Sequence, residues 1–131
     1  MPQPAAKLDA ALREVLKDEM RGIMIATARA RSTITYSELA AELQTARVHY
    51  HSFLMARLLD EIGGEEIGAG RGVLAAVVVR KSSGMPGGGY FRESALLSDR
   101  PDAALPPELE AMWRKDLEAV YAYWAEHEGK T

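Results

Sequence analysis

Two histidines separated by one residue, His49 and His51, have the spacing of a possible metal-ligand pair. On a β-strand this spacing places both imidazoles on one face, whereas on a helix the two side chains point about 200° apart. The third histidine, His127, lies near the far end of the chain and has no fixed relation to the pair. We therefore expect exposed or groove-facing histidines and no metal site.

Serine and carboxylate side chains offer the remaining catalytic chemistry. Ser82 and Ser83 have no histidine base near them in the sequence, so nothing indicates a nucleophilic serine. The carboxylates of residues 60–66 lie beside glycines in a polar segment, where neither burial nor a like-charge partner would tune them for acid–base catalysis. The glycines from Gly84 to Gly89 lack the features of a phosphate-binding loop and indicate a turn. The chain contains no cysteine, and we expect neither an enzyme nor a cofactor.

Charge is distributed in blocks along the chain, although the net charge is only −3. Residues 21–58 carry +3 and residues 71–92 carry +4, whereas residues 59–70 carry −4 and residues 93–131 carry −5. Two interpretations are open: the blocks are solvated surfaces that attract one another in the fold, or the basic blocks form a face that binds a polyanion. From charge alone we favour the first, because binding by counterion release usually recruits several Lys and Arg together.

The composition is that of a globular protein, with 47% apolar and 27% charged residues. Its length of 131 residues indicates a single domain over residues 1–131. The longest apolar run, residues 73–79, is far shorter than the roughly 20 residues that a membrane helix needs. Charged residues near the N-terminus argue against a secretory signal, and the absence of cysteine fits a cytoplasmic location.

Hydrophobic periodicity predicts the elements that must position these side chains. An amphipathic helix is predicted from Ala5 to about Ala30, followed by a short strand at residues 33–35. Thr35 to Glu38 has the form of a capping box and predicts a helix over residues 36–43. After a turn, a second helix is predicted over residues 48–62. We expect it to bury Phe53, Leu54, Leu58 and Ile62, to end at Gly63-Gly64, and to lead into a polar connector over residues 65–70.

The second half of the chain is predicted to begin with a strand at residues 73–79, buried on both faces because it is continuous, short and β-branched. A turn over residues 82–89 leads to a returning strand that includes Tyr90 and Phe91. The last element is a helix over residues 106–128. Its Trp113 and Trp124 share one face, and we expect both to be buried, either in the domain or in a homodimer.

This order of elements is typical of an α+β winged helix: a helix-turn-helix plus a β-hairpin at about residues 33–92, with added N- and C-terminal helices. In such modules the second helix of the helix-turn-helix lies in the DNA major groove, and the hairpin contacts backbone or minor groove. Both predicted contact elements fall in the basic blocks. The helix would present Arg47, His49, Tyr50, His51 and Arg57, and the hairpin would present Arg80, Lys81, Ser82 and Ser83.

The segment Ile34-Thr35-Tyr36-Ser37-Glu38-Leu39-Ala40, with a turn and an arginine after it, resembles a helix-turn-helix of known function. The helix-turn-helix that it resembles belongs to the DNA-binding domain of O6-alkylguanine-DNA alkyltransferases and alkyltransferase-like proteins. Val77-Val78-Val79-Arg80-Lys81-Ser82-Ser83-Gly84, with Gly89-Tyr90 after it, resembles the segment on the C-terminal side of that family's active-site motif, so the similarity covers roughly residues 33–91. The resemblance implies that Tyr36 lies against the DNA backbone beside a flipped nucleotide, and that Arg47 fills the gap the base leaves.

The active-site motif of that family, Pro-Cys-His-Arg, would fall near residues 75–78, which are Ala-Ala-Val-Val here. Alkyl transfer to the protein is excluded, because no thiolate exists to attack. Alkyltransferase-like proteins also lack the cysteine but keep the polar neighbours, which are absent here. The whole chain also resembles a set of small bacterial proteins with a winged-helix core, and that resemblance implies no activity.

Two functions of different classes are compatible with the sequence. The first is a non-enzymatic module that binds duplex DNA or another nucleic acid, in which the basic residues share one face, Tyr36 lies at its edge, and residues 60–66 are turned away. The alternative is a protein-interaction or assembly module that uses the C-terminal helix to bind a protein partner or a second copy; the acidic net charge favours it. The predicted nucleic-acid contacts are Tyr36, Arg47, His49, His51, Arg57, Arg80, Lys81 and Ser82, and the predicted partner contacts are Trp113, Tyr121 and Trp124.

Overall fold

A computed structural model of the chain describes residues 3–4, 9–50, 52–82, 84–86 and 107–127. Its four α-helices are α1 (Ala10–Arg29), α2 (Tyr36–Glu42), α3 (Phe53–Gly68) and α4 (Pro107–Glu126). A 3-10 helix spans Leu74–Val77. The strands are β1 (Gln3–Pro4), β2 (Ile34–Thr35), β3 (Ala46–Arg47) and β4 (Val78–Val79).

The described strands form two short parallel pairs. β1 pairs with β3, and β2 pairs with β4, with Ile34 opposite Val78 and Thr35 opposite Val79. The fold is therefore α+β with helices dominating, which confirms the expected class at this level. The predicted pairing with Tyr90 and Phe91 falls outside the described residues.

The apolar segment after α3 is buried as predicted but is mostly not a strand. Leu74, Ala76 and Val77 have no exposed surface, and Val78 and Val79 are only 1% and 3% exposed. Helices α1, α3 and α4 all contact the 3-10 helix, so its backbone has helices rather than strands around it. Local i to i+3 hydrogen bonds then satisfy the buried amides, and only the last two residues meet a strand partner, β2.

Helix α1 is continuous from its cap to its end. The carboxylate of Asp9 caps it by accepting a hydrogen bond from the Leu12 amide at 2.8 Å. Val15 is apolar but 54% exposed, so it does not belong to the buried face. The buried face is instead a row of residues four apart, Leu16, Met20, Met24 and Ala28.

Helix α2 begins as the sequence predicts. The hydroxyl of Thr35 accepts a hydrogen bond from the Glu38 amide at 3.1 Å, and the Glu38 carboxylate accepts one from the Thr35 amide at 3.0 Å. This reciprocal capping box is confirmed. Leu39 and Leu43 are buried, so the helix is held against the core by one face.

Helix α3 differs from its prediction at both ends. It begins at Phe53 because the Ser52 hydroxyl caps it, accepting a hydrogen bond from the Met55 amide at 3.1 Å. The predicted start at residue 48 was therefore wrong, and residues 46–47 form β3 instead. Phe53 was expected to be buried but is 91% exposed, since its position in the first turn points away from the core.

The Gly63-Gly64 pair does not end α3, and the predicted polar connector was wrong. Gly63 is buried against the 3-10 helix, and a Cβ built on it would lie 3.8 Å from the Ala75 Cβ, an ordinary van der Waals contact. The helix ends where Gly70 adopts φ of +77°. The Gly70 amide donates to the Ile67 carbonyl at 3.0 Å and the Arg71 amide to the Glu66 carbonyl at 2.9 Å, the two bonds of a Schellman motif.

Helix α4 closes the core. Trp113 and Trp124 are 4% and 8% exposed, which confirms their predicted burial, and the burial occurs within the chain. The Trp113 indole N–H donates to the Ala76 carbonyl at 2.8 Å, and the Tyr121 hydroxyl donates to the Ser32 carbonyl at 2.9 Å. The buried Trp124 N–H has no acceptor among the described residues. None of the described helices is long and apolar enough to cross a membrane.

Candidate functional site

Cations of α1 and carboxylates of α3 form a continuous ion-pair network where the two helices face each other. Arg13, Lys17 and Arg21 recur every four residues on α1, and so does the pair Glu61 and Glu65 on α3. Residues four apart lie on the same helical face, so both rows project toward the contact between the helices. We call Arg13, Lys17, Arg21, Glu61, Glu65, Glu66 and Arg71 the α1–α3 ion-pair network.

Lys17 lies at the centre of this network with only 4% of its side chain exposed. Its Nζ is 2.6 Å from a Glu65 oxygen and 3.3 Å from oxygens of both Glu61 and Glu14. Arg13 reaches Glu61 at 2.6 Å, and Arg21 pairs with Glu65. Each ammonium or guanidinium in this region therefore has a carboxylate of the neighbouring helix as its partner.

Glu66 anchors the far end of the network and has no exposed surface. Both of its oxygens are bound by Arg71, whose Nε and Nη2 donate at 2.8 and 2.7 Å. The Arg21 Nε lies 3.0 Å from Glu66 Oε2. This carboxylate therefore joins α3, α1 and the segment after α3, and it has no open coordination position for a substrate.

The network holds Lys17, Glu61 and Glu65 in their charged forms. The hydrogen bond from Lys17 lowers the pKa of Glu65, and the hydrogen bond from Arg13 lowers the pKa of Glu61, both against the opposing effect of burial. The hydrogen bond to Glu65 raises the pKa of Lys17. A general acid or base must change its protonation state near neutral pH, so these shifts act against catalysis by this region.

Most of the predicted contact residues of the helix-turn-helix lie before the helix that was expected to carry them. Arg47 is in β3, and His49 and Tyr50 are in the turn before α3, with their rings stacked at 4.9 Å between centroids. Only Arg57 lies on α3. The prediction that one helix presents all of them was wrong because Ser52 starts the helix after them. His51 lies outside the described residues.

Arg80, Lys81 and Ser82 are exposed in a turn directly after β4. The Arg80 amide donates to the Met85 carbonyl at 2.9 Å and the Gly84 amide to the Arg80 carbonyl at 2.8 Å, with Gly84 at φ of +70°. Because Thr35 and Val79 are partners in a parallel pair, the next residues, Tyr36 and Arg80, leave that pair at the same end. The fold therefore brings Tyr36 and the Arg80 turn together.

Besides Arg29 on α1 and Lys115 on α4, four cations outside the network have no carboxylate partner among the described residues. All are exposed, and their side chains make no ion pair in the described part of the chain. Arg47, in particular, does not pair with Glu42, the nearest acid before it in the sequence. We call Arg47, Arg57, Arg80 and Lys81 the unpaired basic group.

The aromatic residues predicted to contact a partner are instead part of the core. Trp113, Tyr121 and Trp124 are all less than one-tenth exposed, so these three rings pack against the rest of the chain. Arginines cover what remains of these rings: Arg29 over Trp124 at 5.4 Å and Arg31 over Tyr121 at 4.8 Å, measured from Cζ to ring centroid.

Exposed aromatic side chains occur at a place that sequence periodicity did not indicate. Phe53 is 91% and Tyr50 is 49% exposed. Ser52, a preferred N-cap residue immediately before an apolar periodic run, could have revealed where α3 starts. It places Phe53 in the first turn of α3, and the docking of that turn against the core leaves the side chain exposed.

An open groove between α1 and α2 is lined by carboxylates from both helices and by apolar and small side chains. Glu19 accepts hydrogen bonds from the Gln44 and Thr45 amides at 2.7 and 3.0 Å, so it holds the turn after α2 against α1. The lining brings no nucleophile near a base. Its residues are Glu19, Gly22, Ile23, Ala26, Thr27 and Glu42.

Among the residues that the structure describes, no group of three His, Cys, Asp or Glu side chains is placed to hold a metal ion. Comparison of the chain with models of known protein families, with curated proteins and with solved structures found no match. The function is therefore inferred from the geometry of the chain itself.

Proposed function

We propose that this chain is a non-enzymatic nucleic-acid-binding module. The observation that carries the proposal is the contrast within its cations: those of the α1–α3 ion-pair network are bound to carboxylates, whereas the unpaired basic group is exposed to solvent. Exposed cations without an internal partner are available for phosphates, and each one that contacts a phosphate releases a counterion.

The position of the group supports the same function. A winged helix contacts DNA with its second helix and with its wing. The start of the second helix, α3, lies between Arg47 and Arg57 in the sequence, and the turn after β4 carries Arg80 and Lys81. In this proposal α2 and α3 serve as the helix pair and the turn after β4 as the wing. The resemblance to alkyltransferase DNA-binding domains adds Tyr36, which leaves the β2–β4 pair beside Arg80, as a contact to the backbone.

The protein-interaction alternative receives less support, because it relied on an exposed aromatic face of α4. Trp113, Tyr121 and Trp124 are buried within the chain. The remaining exposed part of α4 is rich in charged side chains, among them Arg114, which pairs with Glu110 at 2.9 Å. Charged surfaces of this kind are depleted in the cores of protein interfaces.

The test is the salt dependence of binding. Fluorescence anisotropy of the full chain with labelled duplex and single-stranded DNA, from about 50 to about 300 mM KCl, should give an affinity that falls with salt. The double variant Arg80→Ala/Lys81→Ala should lower the slope of log K against log salt by about two, because two phosphate contacts are lost.

A matched control exists in the sequence, since Arg114-Lys115 on α4 repeats the same two residue types in the same order. The double variant Arg114→Ala/Lys115→Ala removes the same charge from another surface and should leave the slope nearly unchanged. A slope near zero for the unaltered chain, or an equal loss in both double variants, would overturn the proposal.

A further inference from the structure

The segment between β3 and the first turn of α3 combines exposed aromatic rings with unpaired cations. Phe53 is 91% exposed, the largest exposed fraction among the exposed large apolar side chains of the described residues, and Tyr50, three residues earlier, is 49% exposed. Leaving a phenylalanine in water forgoes the favourable burial that holds the rest of the core together. A ring kept outside a well-packed domain is available to a ligand.

The backbone that carries these rings is fixed by hydrogen bonds. The Ser52 hydroxyl donates to the His49 carbonyl at 2.7 Å and accepts from the Met55 amide at 3.1 Å, and the Ser52 amide also donates to the His49 carbonyl at 3.2 Å. Met55 is 1% exposed and anchors the same turn in the core. Phe53 therefore projects from a constrained turn, and binding would cost little ordering of the backbone.

Cations precede and follow the two aromatic residues in the sequence. Arg57 is four residues after Phe53 on α3, so the two side chains are neighbours on one row of the helix surface. Arg47 precedes the turn in β3 and is also exposed without an ion pair among the described residues. Exposed aromatic rings with guanidinium groups before and after them along the chain match bases with their phosphates. One face of the Tyr50 ring lies on His49, so Phe53 is the more accessible of the two rings.

We propose that Tyr50 and Phe53 form a stacking platform for unpaired bases, so that the ligand of this module is a single-stranded nucleic acid. This inference depends on the proposed nucleic-acid function. In an intact duplex the base faces are covered by neighbouring bases and only their edges are accessible, whereas a single strand can lay a base face on an aromatic ring. Stacking tolerates every base because each has a π face, so the preference is for unpaired structure rather than for sequence.

The test uses the full chain and four labelled probes of equal length, about 20 nucleotides: oligo-dT, oligo-rU, a DNA oligomer in which every site is abasic, and a duplex. The abasic oligomer keeps the phosphates and removes the base faces. Oligo-dT should bind about 5- to 100-fold more tightly than the abasic oligomer, the range expected for one or two stacked bases. The DNA and RNA arms show whether the sugar contributes.

Phe53→Ala should remove most of that difference by weakening oligo-dT binding about 5- to 100-fold, with little change for the abasic oligomer. Phe53→Trp should retain tight binding, because an indole also stacks. Ile67→Ala is the matched control, an apolar side chain near the other end of α3 that is 55% exposed. Equal melting temperatures of the variants and the unaltered chain would show that folding is intact, as the exposure of Phe53 leads us to expect.

The outcomes separate this inference from the proposed function. Absence of salt-dependent binding to all four probes would overturn both. Salt-dependent binding with equal affinity for oligo-dT and the abasic oligomer, or with no effect of Phe53→Ala, would overturn the stacking platform and leave the electrostatic site in place. Tighter binding of the duplex than of oligo-dT would also contradict the platform, because the duplex offers edges and phosphates but no base faces.

Discussion

The α1–α3 ion-pair network and the unpaired basic group both contain arginine and lysine, but these cations are paired with carboxylates only in the network. In the network, Lys17 is 4% exposed and has three carboxylates within 3.3 Å. In the unpaired basic group, Arg47 and Arg57 are exposed and make no ion pair in the part of the chain that the structure describes. The basic block of residues 21–58 contains both kinds of cation: Arg21 belongs to the network, whereas Arg47 and Arg57 belong to the unpaired basic group.

The difference shows that a local excess of positive charge does not identify a binding surface. Arg21 is neutralised by Glu65 and Glu66, which lie more than forty positions away in the sequence and belong to the acidic block. Arg47 and Arg57 belong to the same basic block but meet no acid of the described residues. The attraction between blocks therefore accounts for Arg21, whereas Arg47 and Arg57 stay exposed and are available for the binding surface that we propose.

The largest effect should come from removing the buried carboxylate of the network. Glu66→Ala leaves Arg71 and Arg21 without their shared partner. Removing one member of a buried ion pair costs about 3 kcal/mol of unfolding free energy when the remaining cations are partly exposed to water. Arg71 and Arg21 are 35% and 19% exposed, which sets this value at the lower end. Urea unfolding followed by tryptophan fluorescence measures it.

The control for this experiment is Glu110→Ala, which removes a carboxylate from an exposed pair with Arg114 on α4. Exposed pairs contribute at most about 1 kcal/mol, so this variant should be close to the unaltered chain. Equal destabilisation by Glu66→Ala and Glu110→Ala would mean that burial does not distinguish the network from surface pairs.

An intermediate effect is expected from pH. The pKa values of Glu61 and Glu65 are lowered in the folded chain, so their contribution to stability is present above the ordinary carboxyl value of 4.5 and is lost as pH falls through the lower folded values. The melting temperature should therefore fall as pH decreases below about 4.5. In Glu61→Gln/Glu65→Gln that fall should be smaller, and thermal melts at closely spaced pH values between neutral and strongly acidic would show it.

Replacing two exposed carboxylates outside the network, Glu42 and Glu126, tests whether the effect belongs to the network. Glu42→Gln/Glu126→Gln removes the same number of carboxylates without breaking an ion pair of the described residues, and its acid-induced fall should match that of the unaltered chain. If the two double variants had identical pH profiles, the pairing with Arg13 and Lys17 would not stabilise the fold.

The smallest effect on stability should come from the unpaired basic group. Arg47→Ala/Arg57→Ala removes two exposed side chains that hold no carboxylate of the described residues, and such substitutions change unfolding free energy by less than about 0.5 kcal/mol each. The same variant should weaken nucleic-acid binding and reduce its salt dependence. A loss of several kcal/mol in stability instead would show that these arginines support the fold, and the contrast with the network would disappear.

Parts of the fold that depend on neighbours in the sequence could be predicted. The capping box of Thr35 and Glu38 forms as expected, because both of its hydrogen bonds join residues three apart. The burial of Trp113 and Trp124 follows from their helical spacing. The start of α3 was predictable in the same way from Ser52, but apolar periodicity that extends back to residue 48 outweighed that signal.

Parts that depend on distant neighbours could not be predicted. Gly63-Gly64 is a strong local stop signal, yet α3 continues through it because Gly63 packs against Ala75 and the flanking residues Ile62 and Glu66 are buried. Residues 73–79 form a short apolar run typical of a buried strand, but residues 74–77 are surrounded by helices. Tertiary contacts contribute more free energy than the roughly 1 kcal/mol differences among intrinsic propensities, so they decide such segments.

Local sequence is enough to specify the reciprocal cap of α2, the burial of the α4 tryptophans and the segregation of charge along the chain. Which cations are neutralised depends on the packing of the helices, because Arg13 and Glu61 are 48 positions apart and meet only when α1 and α3 come together. The exposure of Phe53 has the same origin, since a first-turn position faces the core or water according to how its helix is docked. Short-range hydrogen bonds and helical periodicity are written within a few residues, whereas charge pairing and exposure depend on which surfaces the fold brings together.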